Sequence, residues 1–235
     1  MPRRATRPDC LVIGDREVPL RIRRLARARR MTLRIDAAAD GVDLTLPRWV
    51  SLTEGLRFAE SKKPWLERRL GDMPARTPFA DGAIVPILGE SCRILHRPEA
   101  LPLVWRRRRE IHVGGPENGL AARLSLWLRE EAAAEIRVRV RAKSAILDRS
   151  VPPVVVRDTS SLWGSCSSSG RLSFCWRLIM APEPVLDYVV AHEVAHLRHH
   201  NHGPRFWALV GELTKDAEGC RAWLRQEGAR LHRYG

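Results

Sequence analysis

His192-Glu193-Val194-Ala195-His196 lies in the last quarter of this 235-residue chain, inside an apolar segment that predicts a buried helix. Because side chains four residues apart share one face of a helix, both imidazoles can bind the same metal ion. Glu193, between them, is placed as a general base for water activated by that metal. The alternative is a network of buried hydrogen bonds, since polar groups in a core need partners. A metal ion satisfies all three side chains at once, so the sequence favours a metal centre with Glu193 as the catalytic residue.

A third protein ligand is needed if the metal is a catalytic zinc, which keeps its fourth position open. We expect His202 to supply it, because Gly203 predicts a chain reversal at positive φ and Pro204 predicts the start of a new helix. Asn201 is then the predicted C-cap of the first helix. The sequence leaves four other histidine and carboxylate ligands open: His199, His200, Glu212 and Glu218.

Several further motifs surround these histidines. They are Trp163-Gly164-Ser165-Cys166-Ser167, Gly170-Arg171-Leu172, Trp176-Arg177-Leu178, the segments 184–188 and 192–197, and Asn201-His202-Gly203-Pro204 with Phe206-Trp207. In this combination the last third of the chain strongly resembles the YgjP-like family of predicted metal-dependent hydrolases, relatives of the SprT and WLM zinc metallopeptidases. The resemblance implies a zincin-like catalytic region with an HExxH active-site helix, and it supports His202 as the third ligand. Leu162 departs from the family, in which a basic residue is common at this position.

The hairpin before the motif helix is the candidate substrate-binding edge. Residues 162–166 and 172–176 predict two antiparallel strands that turn at 168–170. Gly164 would let another backbone approach closely, so we assign Trp163, Gly164 and Ser165 to substrate binding. The alternative is structural, with Trp163 packed in the core and Gly164 marking a bulge.

The pattern of the whole chain predicts an α+β protein, with a β-rich region at residues 1–115 and a catalytic region at residues 116–235. In the first region, one helical segment begins at the capping box of Ser51 and Glu54 and ends at Gly71. Alternating apolar residues predict its strands at 18–46, 83–88, 91–96, 101–105 and 111–113.

The catalytic region is predicted to begin with a long helix. Its apolar residues recur every four positions from Leu120 to Val140. The continuous Val154-Val155-Val156 then predicts a buried strand, and the hairpin and the motif helix follow. Two final helices are predicted at 204–214 and 217–231.

Basic residues outnumber acidic ones by 41 to 27, which gives a formal net charge of +14. Two basic stretches, residues 21–34 and 106–109, can attract phosphate groups. All but four of the basic residues are arginines, which indicates a compositional bias of the source genome. Many of them also alternate with apolar residues, as on the solvated face of a strand. Nucleic acid is therefore an alternative partner that the sequence does not favour.

Cysteine usage and hydropathy predict a cytoplasmic protein. The five cysteines are an odd number without a paired C-x-x-C spacing, which is typical of reduced thiols. Cys166 and Cys175 could face each other across the hairpin, but free thiols are the favoured interpretation. No apolar run approaches the length of a transmembrane helix, and the amino terminus does not have the pattern of a signal peptide.

These observations predict a zinc-dependent hydrolase, in the first place a metallopeptidase, with one Zn²⁺ per chain and a peptide, protein or nucleotide as substrate. Other divalent transition metals suit the same ligands. One alternative is a metal-dependent nucleoside triphosphate pyrophosphatase that keeps the same metal site. Its substrate phosphates would suit the arginines, although the sequence has no P-loop and no carboxylate cluster for Mg²⁺. The other is a nucleic-acid-associated binding module with a structural metal, which would leave Glu193 without a role.

Overall fold

The computed structural model describes residues 10–36, 39–101, 103–160 and 162–235, which divide into two compact units between Pro74 and Ala75. The fold is α+β, with most of the β-strands in the first part of the chain and most of the helices in the last. The sequence instead placed its boundary between residues 115 and 116. The difference arises because the sheet at residues 84–114 shares its apolar core with the helices that follow it. A separate catalytic region from residue 116 stays a prediction.

The first unit is a four-stranded sheet with two helices. The sheet has the order β1-β2-β4-β3, and β2 and β4 are its only parallel pair within the described residues. Its elements are β1 (Cys10–Ile13), β2 (Arg16–Arg24), β3 (Thr32–Asp36), β4 (Gly41–Leu46), α1 (Leu52–Ser61) and α2 (Lys63–Gly71). The predicted capping box is present, because Ser51 accepts from the Glu54 backbone and Glu54 accepts from the Ser51 backbone. The strand β1 was not predicted.

The second unit begins with another four-stranded sheet, of order β5-β6-β8-β7, followed by the long helix α3. The elements are β5 (Ile84–Ile87), β6 (Glu90–Arg97), β7 (Val104–Arg107), β8 (Glu110–Gly114) and α3 (Leu120–Ile146). The predicted apolar stripe of α3 is fully buried, since residues such as Leu124, Leu128 and Ile136 are each 0% exposed. Val85, Ile94 and Ile111 belong to the same core cluster, which explains why the sheet and the helix form one unit.

A three-stranded sheet and three helices complete this unit. The sheet has the order β10-β11-β9, in which β10 pairs antiparallel and β9 parallel with β11. The elements are β9 (Val154–Arg157), β10 (Gly164–Cys166), β11 (Leu172–Cys175), α4 (Glu183–Ala195), α5 (Pro204–Leu213) and α6 (Ala217–Leu231). The hairpin β10–β11 and the last two helices agree with the sequence. The strand predicted at 154–156 is present as β9, but its predicted burial is wrong, because β9 lies at a sheet edge and is only half-buried.

The five cysteines are all free thiols. Cys166 pairs with Leu172 in the hairpin register, so it does not face Cys175. Among the described residues, no helix is both long enough and apolar enough to cross a membrane.

Candidate metal centre

The helix α4 carries His192 and Glu193 in its last turn. It is apolar on nearly all sides, with Leu186, Val190 and Val194 completely buried, so the core fixes the position of both polar residues. The helix ends at Ala195, and His196 is its C-cap with φ −65° and ψ −19°. His192 and His196 nevertheless lie one turn apart, with ring centroids separated by 5.0 Å.

The segment after α4 turns earlier than the sequence suggested. The backbone N–H groups of Arg198 and His199 both donate to the Ala195 carbonyl, so the helix does not reach Asn201 and the predicted C-cap there is wrong. The predicted positive φ at Gly203 is also wrong, because this residue is extended, with φ −81° and ψ −179°. The reversal is therefore spread over residues 196–203. Pro204 begins α5 as predicted.

The turn brings His202 to the other two histidines. Each of His192, His196 and His202 offers a ligand atom, and these atoms all lie within 4.8 Å of one another. The Nε2 atoms of His202 and His192 are 3.1 Å apart. The four alternative ligands do not join this group: His199, His200, Glu212 and Glu218. The structure thus assembles the three histidines that the sequence selected.

Phe206 forms the floor of this three-histidine group and was not identified as a site residue from the sequence. Its ring centroid lies 4.9 Å from that of His192, 4.6 Å from that of His196 and 4.7 Å from that of His202. The side chain is 0% exposed and lies in the first turn of α5. Its position in the motif just after Gly203-Pro204 was a signal for this role. A turn that brings His202 back to the other histidines also brings Phe206 close to them.

The three imidazoles suit a metal better than a hydrogen-bond network. Within the described residues, His192 Nδ1 is buried and has no hydrogen-bond partner. A self-contained polar network would satisfy such groups. His196 Nδ1 instead lies 3.1 Å from the His199 carbonyl, a contact that orients the ring and leaves its Nε2 free for a metal.

The protonation of the histidines also suits metal binding. Burial lowers the pKa of His192 to about 4, and the nearby groups His196, His202 and Arg221 act in the same direction. Burial likewise lowers the pKa of His196. Because a metal binds the neutral imidazole, protons do not compete for these two ligands near neutral pH.

Glu193 lies beside the histidines and is buried, with 5% of its surface exposed. Burial raises the pKa of its carboxyl group to about 7, which is in the range where a general base works near neutral pH. Its carboxylate packs against Gly164 of β10. A Cβ atom at residue 164 would lie 2.6 Å from both Cγ and Oε1 of Glu193. The close approach that the sequence assigned to a substrate backbone is thus made by the Glu193 side chain.

The other two residues of the predicted substrate-binding edge differ in their surroundings. Trp163 stacks on His232, with ring centroids 5.0 Å apart, and it packs against Gly228 of α6. Ser165 is exposed on β10, and Leu162 before the strand is 60% exposed. The indole of Trp163 is therefore packed against other side chains, in agreement with the structural alternative. Substrate contact at Trp163, Gly164 and Ser165 stays a prediction.

Trp207 and Arg221 add to the surroundings of the histidines. The Trp207 ring centroid lies 5.7 Å from that of His192 and 5.9 Å from that of His202. The Arg221 guanidinium lies over the Trp207 ring at 4.5 Å. No local pattern marks Arg221 in the sequence, because its position follows from the packing of α6 near α5.

The comparisons with known proteins agree with this geometry. The model of the YgjP-like, metallopeptidase domain family matches residues 29–227, a range that includes the three histidines, Glu193 and β10. Neither a curated protein nor a solved structure matches the chain. The match extends well beyond the segment with the motifs and covers more than half of the chain. The chain therefore belongs to the YgjP-like family of metallopeptidase domains.

Proposed function

We propose that the chain is a zinc-dependent metallopeptidase with a zincin-like active-site helix, in which His192, His196 and His202 hold one Zn²⁺ and Glu193 is the catalytic base. The observation that carries this proposal is the convergence of three imidazole ligand atoms within 4.8 Å of one another beside a buried carboxyl group. Three protein ligands are what a catalytic zinc site uses, because its fourth position stays open. Membership of a metallopeptidase family supports the same reaction class.

Glu193 and the histidines have separate roles in the proposed hydrolysis. When bound, the metal supplies Lewis-acid activation of water and of the carbonyl group under attack. Glu193 accepts the proton of the attacking water at a carboxylate oxygen and returns it to the leaving amine. His192 and His196 stay neutral near pH 7, and the contact of His196 Nδ1 with the His199 carbonyl holds that ring in place.

The strand β10 supports a peptide as the substrate. It lies at the edge of its sheet, and within the described residues it pairs only with β11. An extended peptide can add to such an edge through its backbone, and Gly164 would place it next to Glu193. We therefore keep Trp163, Gly164 and Ser165 as the proposed substrate-binding residues. In this proposal the indole of Trp163 also packs the strand against α6.

The two alternative functions make different demands on the metal site. A pyrophosphatase that uses the same three histidines differs from the peptidase only in its substrate, whereas one that depends on Mg²⁺ needs a cluster of carboxylates in their place. A structural zinc prefers four protein ligands, and this group has three. The ligand set therefore disfavours an Mg²⁺-dependent enzyme and a structural zinc site.

Metal content is the first test of the proposal. We expect elemental analysis of the purified protein to find about one zinc per chain, in accordance with a three-histidine site. His196→Ala should lose the metal, whereas His200→Ala, an exposed histidine outside the group, should retain it. Absence of stoichiometric metal, even after zinc is offered and the excess is dialysed away, would contradict the proposal.

Turnover is the second test. The zinc-loaded protein is offered an unfolded protein, a peptide library and nucleoside triphosphates. We expect cleavage of the polypeptides only, and Glu193→Gln should reduce it by a factor of about 10²–10⁴ while the metal stays bound. Hydrolysis of the triphosphates without cleavage of peptides would favour the pyrophosphatase instead.

A further inference from the structure

Arg221 is held at the rim of the three-histidine group by an aromatic side chain. Its guanidinium lies over the Trp207 ring at 4.5 Å, and the same ring lies 5.7 Å from His192 and 5.9 Å from His202. A guanidinium stacked in this way keeps its N–H groups free at the edge of the plane. Arg221 is therefore a positioned donor next to the site.

The charge of Arg221 is not neutralised by a neighbour. The residue is exposed, and it has no carboxylate partner among the residues that the structure describes. Other arginines near the core differ in this respect, since Arg177 pairs with Asp158 and Arg139 pairs with Glu183. An unpaired arginine on a surface usually has only water as a partner, whereas Arg221 is fixed on an aromatic ring that itself lies beside the three histidines.

The segment that contains two of the three histidines has no acidic residue. Between Glu193 and Glu212, residues 194–211 include no aspartate or glutamate, and on α6 Arg221 lies between Glu218, one turn before it, and Arg225, one turn after it. An anionic group next to the histidines would meet attraction from this side and no acidic neighbour on the 194–211 segment.

We propose that Arg221, held on Trp207, is a specificity-determining residue that binds a carboxylate of the peptide substrate close to the bond that is cut. The planar guanidinium presents paired donors that fit the two oxygens of a carboxylate. The carboxylate comes from an aspartate or glutamate side chain or from the carboxyl terminus of the peptide. This inference rests on the proposed peptidase function.

The test uses matched peptides and the full-length zinc-loaded protein. One series of blocked octapeptides carries a single glutamate that is moved along the sequence, and its partner series carries glutamine at the same positions. A third series has an unblocked carboxyl terminus and no acidic side chain. Cleavage rates are measured for the wild type, Arg221→Gln and the control Arg230→Gln. Arg230 lies on the same helix but pairs with Glu227.

We expect the wild type to prefer one carboxylate position over its neutral counterpart by a factor on the order of tenfold in kcat/KM. Arg221→Gln should remove this preference mainly by raising KM, and Arg230→Gln should keep it. The series that shows the preference identifies the carboxylate as a side chain or a carboxyl terminus. Equal cleavage of acidic and neutral peptides by the wild type, or an unchanged preference in Arg221→Gln, would overturn the inference and leave the peptidase intact.

A binding measurement separates this inference from the proposed function. The same peptides are titrated by calorimetry into the zinc-loaded Glu193→Gln protein, with and without Arg221→Gln. Tighter binding of the acidic peptides that depends on Arg221 would support the carboxylate site even if no peptide were cleaved. Preferential binding of a nucleoside triphosphate through Arg221, with no difference between acidic and neutral peptides, would overturn it.

Discussion

The contact between Glu193 and Gly164 joins the carboxylate proposed as the catalytic base to the strand beside it. The Glu193 side chain occupies the space that a side chain at residue 164 would need, so the strand limits the positions open to the carboxyl group. At the scale of single residues, a glycine that is interpreted from sequence as a place for a ligand can equally be a place for the protein's own side chain.

Gly164→Ala should therefore displace Glu193. The new Cβ would lie 2.6 Å from Cγ and Oε1 of the glutamate, and one of the two residues must move. We expect kcat to fall by about 10²-fold, because a displacement of about 1 Å at a reacting group has an effect of this size. Zinc content should not change. The control is Gly211→Ala, because a Cβ there meets nothing within 4 Å. Wild-type kcat in Gly164→Ala would show that the contact does not position Glu193.

The buried carboxyl group of Glu193 should also make the metal-free protein less stable as the pH rises. Burial raises its pKa to about 7, whereas an unfolded glutamate titrates near 4.5. The folded state then holds the proton more tightly, so the contribution is favourable below about pH 4.5 and is lost as the pH rises to 7. The lowered pKa of His192 acts in the opposite direction in both proteins, so urea unfolding with a chelator present should show this loss in the wild type relative to Glu193→Gln. Glu193→Gln should not show it, and an identical pH dependence in the two proteins would contradict the assignment.

At the scale of elements, the sequence predicts what depends on local pattern. The apolar stripe of α3, the capping box of α1 and the start of α5 at Pro204 were all predicted, because each is set by neighbours along the chain. The end of α4 was not, because it depends on where the His196–Gly203 segment packs. The three histidines predicted as ligands nevertheless converge, since their spacing and chemistry restrict the choice more than the exact turn does.

Phe206 shows how an element of the core supports the site. We expect Phe206→Leu to lower the free energy of unfolding by about 1–2 kcal/mol, because it leaves a cavity under the imidazoles. It should also weaken zinc binding by roughly tenfold, as loss of support for metal ligands does. Phe79→Leu, in the same core cluster but in contact with Gly235, is the control. It should lower stability without changing the zinc affinity, measured by competition with a chelator. Equal affinities in both variants would contradict the role of Phe206.

At the scale of the whole molecule, the chain terminus closes the second unit. Thr77 donates its backbone N–H to the Arg233 carbonyl and accepts from the Gly235 N–H. Arg177, which is 8% exposed, donates to the carbonyls of Leu231 and Tyr234 and pairs with Asp158. These long-range contacts explain why the unit includes residues from Ala75 onward. These contacts leave no periodic pattern in the sequence. The boundary predicted from Gly and Pro residues therefore differs from the boundary that the contacts define.

Arg177→Met should therefore weaken the whole unit without changing the chemistry of the metal centre. Two carbonyl acceptors and the 38% exposed Asp158 carboxylate would lose their cationic partner, and leaving the two buried acceptors unpaired should lower the free energy of unfolding by about 2 kcal/mol. Zinc content of the folded protein should stay at the wild-type level. The control is Arg129→Met, which removes a 44% exposed partner of the same aspartate and should cost less than about 1 kcal/mol.

The same pair of variants should differ in acid. Burial acts to raise the pKa of Asp158, but it is outweighed by Trp176 and by the charges of Arg177 and Arg129, which together hold this pKa below its usual range. Trp176 Nε1 falls short of hydrogen-bond geometry, so we attribute the effect to the two guanidinium groups. The stabilisation is present above the unfolded pKa and is lost as the pH falls through the folded one. Arg177→Met should lose most of this acid dependence in urea unfolding, and Arg129→Met should retain most of it. Equal behaviour of the two variants would show that Arg177 is not the main partner of the Asp158 carboxylate.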